Sequence, residues 1–243
     1  MSRHLKPYRG ALGHSYAFGV QPTLDILSLR PRQVRKVLLY RPSGGGDGVG
    51  RIQALCRKHH TPVETCPRAI RRISGRDFPA VAVFRKFRHP ISATASHLVL
   101  VHPRFSRNVG AAVRTMLGFG LKDLALIGEA LDPLSPGVVR ASMGAAFHLR
   151  WGCFADFDAY RRCFGLHHVY CFTPEGRCPV MQCRPRRPFA LVFGSEGSGL
   201  PPRLRSYGTT VRIPHAPTID SLNLAVTVGI ALHTMLGPNP SPS

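Results

Sequence analysis

Three short stretches of this chain gather residue types that can do chemistry. The first is Ala190–Leu200, "ALVFGSEGSGL", where apolar residues run straight into Gly-Ser-Glu-Gly-Ser-Gly. Glycines after a strand let the backbone close on a ligand. The common phosphate-binding loops aim several N–H groups at the anion and keep carboxylates away. Here Glu196 sits in the middle of the glycines and would repel a phosphate. The loop therefore suits a neutral or cationic ligand, or it is a plain structural turn. S-adenosylmethionine has the required character: a sulfonium, an ammonium and an adenine edge that reads backbone amides.

The second stretch, "NVGAAVRT", sets Asn108 at the head of a helix and Arg114 six residues on, with small residues between. Small residues permit close backbone approach, and a guanidinium can grip a phosphate bidentately. A surface salt bridge explains Arg114 alone equally well. The third stretch, "IPHAPTIDSLN", ends a strand at Pro214 and opens a helix with Ser221 and Asn223. Ser221 reads first as an N-cap.

The elements that must position these stretches alternate. "HLVLVH", "DLALIG", "HVYCFTP", "FALVFG" and "TVRIPHA" read as strands. "NVGAAVRTMLGFG", closed by Gly120, "SPGVVRASMGAAFHL" and "SLNLAVTVGIALHTML" read as helices. Strands apolar on both faces imply a covered parallel sheet, and such sheets bind ligands beyond the carboxyl ends of their strands. The first part alternates too, through "GVQPTLDILSL", "VRKVLLY", "GRIQALCRKHH", "PVETC", "RAIRRIS" and "AVAVF". Between the two, "KFRHPISATAS" has no apolar period and reads as a linker. The expectation is two α/β domains, 1–92 and 97–238.

Charge points to the partner. The 243 residues hold 33 Lys and Arg against 12 Asp and Glu, a net charge of +21. Such a field attracts polyanions, nucleic acid above all. Residues 1–92 carry 18 basic against 4 acidic side chains, and the remainder 15 against 8, so the smaller part is the more electropositive. No apolar run reaches the length of a membrane span, and no signal-peptide pattern opens the chain. The acid-free, basic first 24 residues read as a short basic arm. The seven cysteines form no C-x-x-C pair, and Cys178 and Cys183 near His167 and His168 fit no common zinc spacing. Reduced thiols, a cytoplasmic setting and no metal are expected. "SGGGDGVG", Ser43–Gly50, lacks the Lys of a phosphate loop and reads as a surface loop.

Taken together, "NVGAAVR", "GSEGSG" and "IPHAPTIDSLN" resemble, in order and spacing, the three signature motifs of the SpoU/TrmH branch of the SPOUT RNA methyltransferases, over residues 97–237. The first part resembles, more loosely, the substrate-binding domain often found upstream in that family. The resemblance implies a parallel-sheet α/β domain whose end is threaded into a trefoil knot, an exception to the rule against knots. It implies S-adenosylmethionine as cofactor, methylation of a ribose 2′-hydroxyl in rRNA or tRNA, and a homodimer with the site at the subunit interface.

Carried over by position, Phe193, Gly194, Ser195, Glu196 and Gly199 would form the cofactor loop, with Thr173, Ile213, Pro214, Leu222 and Asn223 beside it. Arg114 would activate the hydroxyl and Asn108 support it, while Glu196, Ser221 and Asn223 position the reacting groups. A guanidinium is a donor rather than a free base, so Arg114 is expected to bind an RNA phosphate and polarise the hydroxyl. The chain departs from the family at His215, where Met is frequent, at Leu224-Ala225, where Val-Ser is frequent, and at "GRDFPAVAVF", which replaces a His-Gln-Gly. A catalytically silent RNA-binding protein of the same fold is the alternative, and a phosphate-loop nucleotide enzyme a distant third.

Overall fold

A computed structural model describes residues 5–41, 46–129 and 131–237. Of the Ser43–Gly50 stretch, positions 43–45 lie outside the described residues, and Gly46–Gly50 form the first turns of a helix rather than a loop. The chain divides into two compact units: residues 1–87 with 132–147, and residues 88–131 with 148–243.

The first unit is built on a four-stranded sheet. Its strands are β1 (His14–Phe18), β2 (Val34–Leu39), β3 (Val63–Thr65) and β4 (Ala80–Arg85), in the order β1-β4-β2-β3. Only the β2–β3 pair is parallel. Three helices cover it. α1 (Val20–Leu29) carries Pro22 in its first turn and buries Leu24, Ile26 and Leu27. α2 (Gly46–Lys58) buries Val49, Ile52 and Cys56 at helical spacing. α3 (Pro67–Ser74) starts on a proline and stops at Gly75, whose φ of +73° needs no Cβ. On one face Tyr16, Leu38, Ile70, Ile73, Val81 and Val83 close a core.

Residues 132–147, expected in the second domain, pack here instead. The reason is chemical complementarity with the first unit. Ser15 Oγ donates to the Leu134 carbonyl at 2.6 Å, Tyr8 donates to Asp132, Lys86 pairs with Asp132 at 2.9 Å, and Phe147 meets the ring of Phe84 edge-on. The short helix α5 (Pro136–Ala141), capped by Ser135, adds buried Val138 and Val139.

The second unit is a seven-stranded parallel sheet. Its strands are β5 (His97–Val101), β6 (Asp123–Ile127), β7 (Arg150–Phe154), β8 (His168–Phe172), β9 (Cys178–Pro179), β10 (Phe189–Phe193) and β11 (Thr209–Arg212), ordered β7-β6-β5-β10-β8-β11-β9. Its helices are α4 (Ser106–Gly118), α6 (Phe157–Cys163) and α7 (Leu224–Leu236). Every residue of β5, β6 and β10 is buried, as apolar runs covered on both faces must be. The chain runs outward from β5 to β7, then returns and fills the other side from β8 on. The switch in direction lies between β5 and β10, and the carboxyl ends of the strands are where such sheets bind ligands.

Two expectations are corrected in this unit. The cap of α7 is Asn223, not Ser221: Asn223 Oδ1 accepts from the amides of Ala225 (2.9 Å) and Val226 (3.4 Å). The cysteines are not all thiols. Cys178 and Cys183 are joined as a disulfide, because the 3-10 turn Val180–Gln182 between them folds their Cα atoms to 6.4 Å. Among the described residues no helix is long and apolar enough to cross a membrane, and no cluster of metal-ligating side chains occurs.

Candidate active site

β5 and β10 are neighbours, so the loops that leave them meet. The first step of the β10 loop allows no side chain. A Cβ on Gly194 would stand 2.1 Å from the Gly199 carbonyl carbon and 2.2 Å from the Leu200 nitrogen. That contact exists because the loop closes on itself: Ser195 and Gly199 exchange two backbone hydrogen bonds, at 3.2 and 3.0 Å. Gly199 turns the corner with φ +65°. Ser195 Oγ also accepts from the Ser198 amide.

The closed loop holds Glu196 against the segment leaving β5. Its Oε1 accepts from Asn108 Nδ2 at 2.9 Å and from the Phe105 amide at 3.4 Å, and its Oε2 from the Arg104 amide at 3.1 Å. Phe105 is the N-cap residue of α4 and has no side-chain oxygen, so a glutamate from another strand serves that helix start. Burial pushes the Glu196 carboxyl up. The Asn108 amide and the backbone amides of Glu196, Arg104 and Phe105 outweigh it and hold the group below the ordinary glutamate range. Asn108 Oδ1 in turn accepts from Asn223 Nδ2 at 3.1 Å, and Asn223 caps α7. One chain of hydrogen bonds thus ties the three stretches together.

The loops that follow β8, β10 and β11 line a half-open cavity of about 280 Å³. Its apolar part includes Phe172 and Phe193, stacked at 4.4 Å, with Val211, Ile213, Leu222 and Leu224. Its polar wall carries three carboxylates, Glu175, Glu196 and Asp220, against the single guanidinium of Arg205. In a chain of net charge +21 this is a local inversion of sign. An apolar slot with an acidic wall fits a flat aromatic group joined to a cation, and S-adenosylmethionine is such a molecule. A second, more open cavity adjoins it, lined by Phe105, Arg107, Asn108, Ala111, Asn223 and Ala225, and shares Glu196, Ser221, Leu222 and Leu224 with the first.

The expected site residues therefore fall into three groups. Thr173, Phe193, Gly194, Ser195, Glu196, Gly199, Ile213, Ser221 and Leu222 line the first cavity. Asn108 and Asn223 line the open one. Pro214 and Arg114 line neither. Arg114 stands exposed on α4, where Val109, Ala112, Val113 and Met116 take the buried face. Sequence reasoning missed Glu175 and Arg205, and gave no site role to His215 and Asp220, although both lie inside the third stretch. Glu175, three residues past the end of a strand, and Arg205, in the 3-10 turn Pro202–Tyr207, come from separate elements and form no contiguous pattern.

A cavity beyond the carboxyl ends of a parallel sheet, walled by a self-closed glycine loop, defines an α/β protein that binds its ligand at this edge of the sheet. The chain belongs to the SpoU rRNA methylase family, whose model matches residues 95–233. It is 32% identical over 140 residues to an uncharacterised tRNA/rRNA methyltransferase of Synechocystis, which is 56% of this chain and 51% of that protein. It is 33% identical over 132 residues to the 23S rRNA (adenosine(1067)-2′-O)-methyltransferase of Streptomyces laurentii, 52% of this chain and 48% of that protein. The matched part thus spans about half the length of these curated relatives. A crystal structure of an AdoMet-bound rRNA methyltransferase from Sinorhizobium meliloti superposes with a TM-score of 0.77 at 26% identity, over 91% of this chain and 86% of that one.

Proposed function

We propose that the chain transfers a methyl group from S-adenosylmethionine to a ribose 2′-hydroxyl of rRNA or tRNA. The observation that carries this reading is the acid-walled apolar cavity lined by the "GSEGSG" and "IPHAPTIDSLN" stretches, with "NVGAAVR" tied to it through Asn108 and Glu196, in a strongly basic protein. The name of the Streptomyces laurentii relative and the bound AdoMet of the Sinorhizobium meliloti structure support it. The cofactor supplies an electrophilic methyl group on a positively charged sulfur.

The chain's own residues do the rest. Phe172, Phe193, Ile213 and Leu222 would receive the adenine, and the backbone of 194–199 would fix its position. Glu196 and Asp220 favour the cationic form of the ligand over a neutral one. Asn108, Ser221 and Asn223, at the seam of the two cavities, would orient the ribose, so that much of the rate comes from alignment. Phe105, 54% exposed and flanked in sequence by Arg104 and Arg107, gives the open cavity an aromatic rim suited to an unstacked base.

Arg114 lines neither cavity of its own chain, and this supports a homodimer in which a second copy completes the site. Val226, 51% exposed on α7, offers apolar surface for such pairing. In that assembly Arg114 would bind an RNA phosphate and polarise the hydroxyl. The segment after β11 would pass through the loop that follows β10, giving the deep trefoil knot of SPOUT enzymes. The packing of α7 on α4 supports this path. The basic residues of 1–92 would dock RNA, in the cytoplasm.

The decisive experiment incubates purified protein with tritiated S-adenosylmethionine and bulk rRNA or tRNA, then maps the label. Label resistant to base removal and confined to ribose is expected. Cofactor binding without any transfer would favour the silent RNA-binding alternative, and no cofactor binding would end the proposal.

A further inference from the structure

Glu175 belongs to no signature stretch, yet both its backbone turn and its carboxylate are held in place at the wall of the first cavity. β8 ends at Phe172, and the next residues form a turn: the Gly176 amide donates to the Thr173 carbonyl at 3.0 Å. The turn is pressed onto β11. Thr173 donates its amide to the Val211 carbonyl at 3.0 Å, and a Cβ on Gly176 would stand 2.3 Å from the Val211 carbonyl carbon. Arg212 then ties down the far side, donating to the carbonyls of Gly176 (2.8 Å) and Arg177 (3.0 Å).

The side chain is held as well. Thr173 Oγ1 donates to Glu175 Oε2 at 2.5 Å, and Arg205 approaches the same oxygen at 3.3 Å. The Thr173 hydroxyl, foremost, keeps the carboxyl below the ordinary glutamate range. Two carboxylate oxygens offer about four acceptor positions. Glu175 lines the cavity and its side chain is 67% exposed, so acceptor capacity remains for a ligand.

We infer that Glu175 anchors the cofactor through the 2′- and 3′-hydroxyls of its adenosine ribose, a role that rests on the methyltransferase reading above. A carboxylate matches a vicinal diol, two donors to one fork of acceptors, and the same chemistry fixes ribose in dinucleotide sites. The placement agrees. Phe172, on the apolar floor, precedes the turn directly, so a purine resting there carries its sugar toward residue 175. Thr173 and Arg205 pre-position the acceptor, which reduces the ordering cost of binding.

The test is calorimetric and needs no turnover. The probes are 5′-methylthioadenosine, which has the diol and no ammonium, its 3′-deoxy analogue, and S-adenosylhomocysteine. With the wild-type chain, removing the 3′-hydroxyl should weaken binding about tenfold, as expected for a hydrogen bond to a charged acceptor. Glu175→Ala should bind 5′-methylthioadenosine about tenfold more weakly and no longer distinguish the deoxy analogue, with Glu175→Gln between. An alanine variant that keeps either the affinity or the discrimination overturns the assignment. So does a variant weakened for S-adenosylhomocysteine alone, which would give Glu175 to the ammonium instead. Wild-type protein that binds none of the three probes overturns the methyltransferase reading itself, and this inference with it.

Discussion

Glu196 shows how one side chain can serve two ends. Its oxygens are taken up by Asn108 and two backbone amides, yet its charge still faces a cavity shaped for a cation. Glu196→Gln keeps the shape and removes the charge. The affinity for S-adenosylmethionine should fall about tenfold, as one unit charge a few ångströms away predicts at intermediate dielectric. S-adenosylhomocysteine, whose sulfur is neutral, should lose much less; equal losses for both would remove the electrostatic role. Asn223 separates in a similar way. Asn223→Asp keeps the oxygen that caps α7 but loses the donor to Asn108, so melting should change little while the rate of methyl transfer drops. Asn223→Ala loses both, and thermal unfolding should report a loss of about 1 kcal/mol. Asn223 could be read from the sequence as a site residue. Its capping role could not, because Ser221 is an equally good cap by type and only the backbone decides where α7 begins.

Among the elements, the loop after β10 and the start of α4 act as one piece. Gly194 lies where two backbone segments touch, so Gly194→Ala must push Gly199 and Leu200 away. The expected result is destabilisation of about 1–3 kcal/mol, with cofactor binding lost well before the fold. Denaturant unfolding and calorimetry on the same sample measure both. The strands and most helices were legible because covered strands are uniformly apolar and helices repeat near 3.6 residues. β1 and β7 were not. β7, "RWGCF", mixes a charge, a glycine and a half-buried tryptophan because it is an edge strand. β1, "HSYAF", hides its register behind a buried Ser15 that is satisfied by Leu134 far along the chain.

For the whole molecule, charge and buried imidazoles set the response to conditions. At +21, RNA binding should weaken steeply with salt through counterion release. Filter binding between low and physiological salt should show a steep negative slope, and a flat one would argue against phosphate contacts. Acid should also matter. His97 is fully buried at the start of β5, bonded to Tyr160 and to the Ser92 carbonyl, and stacked 4.2 Å from buried His167. Burial pulls His97 down to about 4 from an ordinary 6.5, and lowers His167 too. The unfolded chain therefore binds more protons than the folded one between those values. Stability should be complete above pH 6.5 and decline as the pH falls toward 4. Melting temperatures across that range check the sign.

Motif spacing by itself singled out the loops expected to carry chemistry, because a turn, a salt bridge or a cap explains each stretch alone but not all three in one order and spacing. Composition fixed the polyanionic partner as an expectation for the same kind of reason: net charge adds up whatever the fold. Only the tertiary structure decided that residues 132–147 join the first unit, that Glu196 reaches across to the start of α4, and that Glu175 and Arg205 face one cavity. Those outcomes depend on which strands are neighbours, and strand order is settled by packing between distant segments rather than by any local pattern.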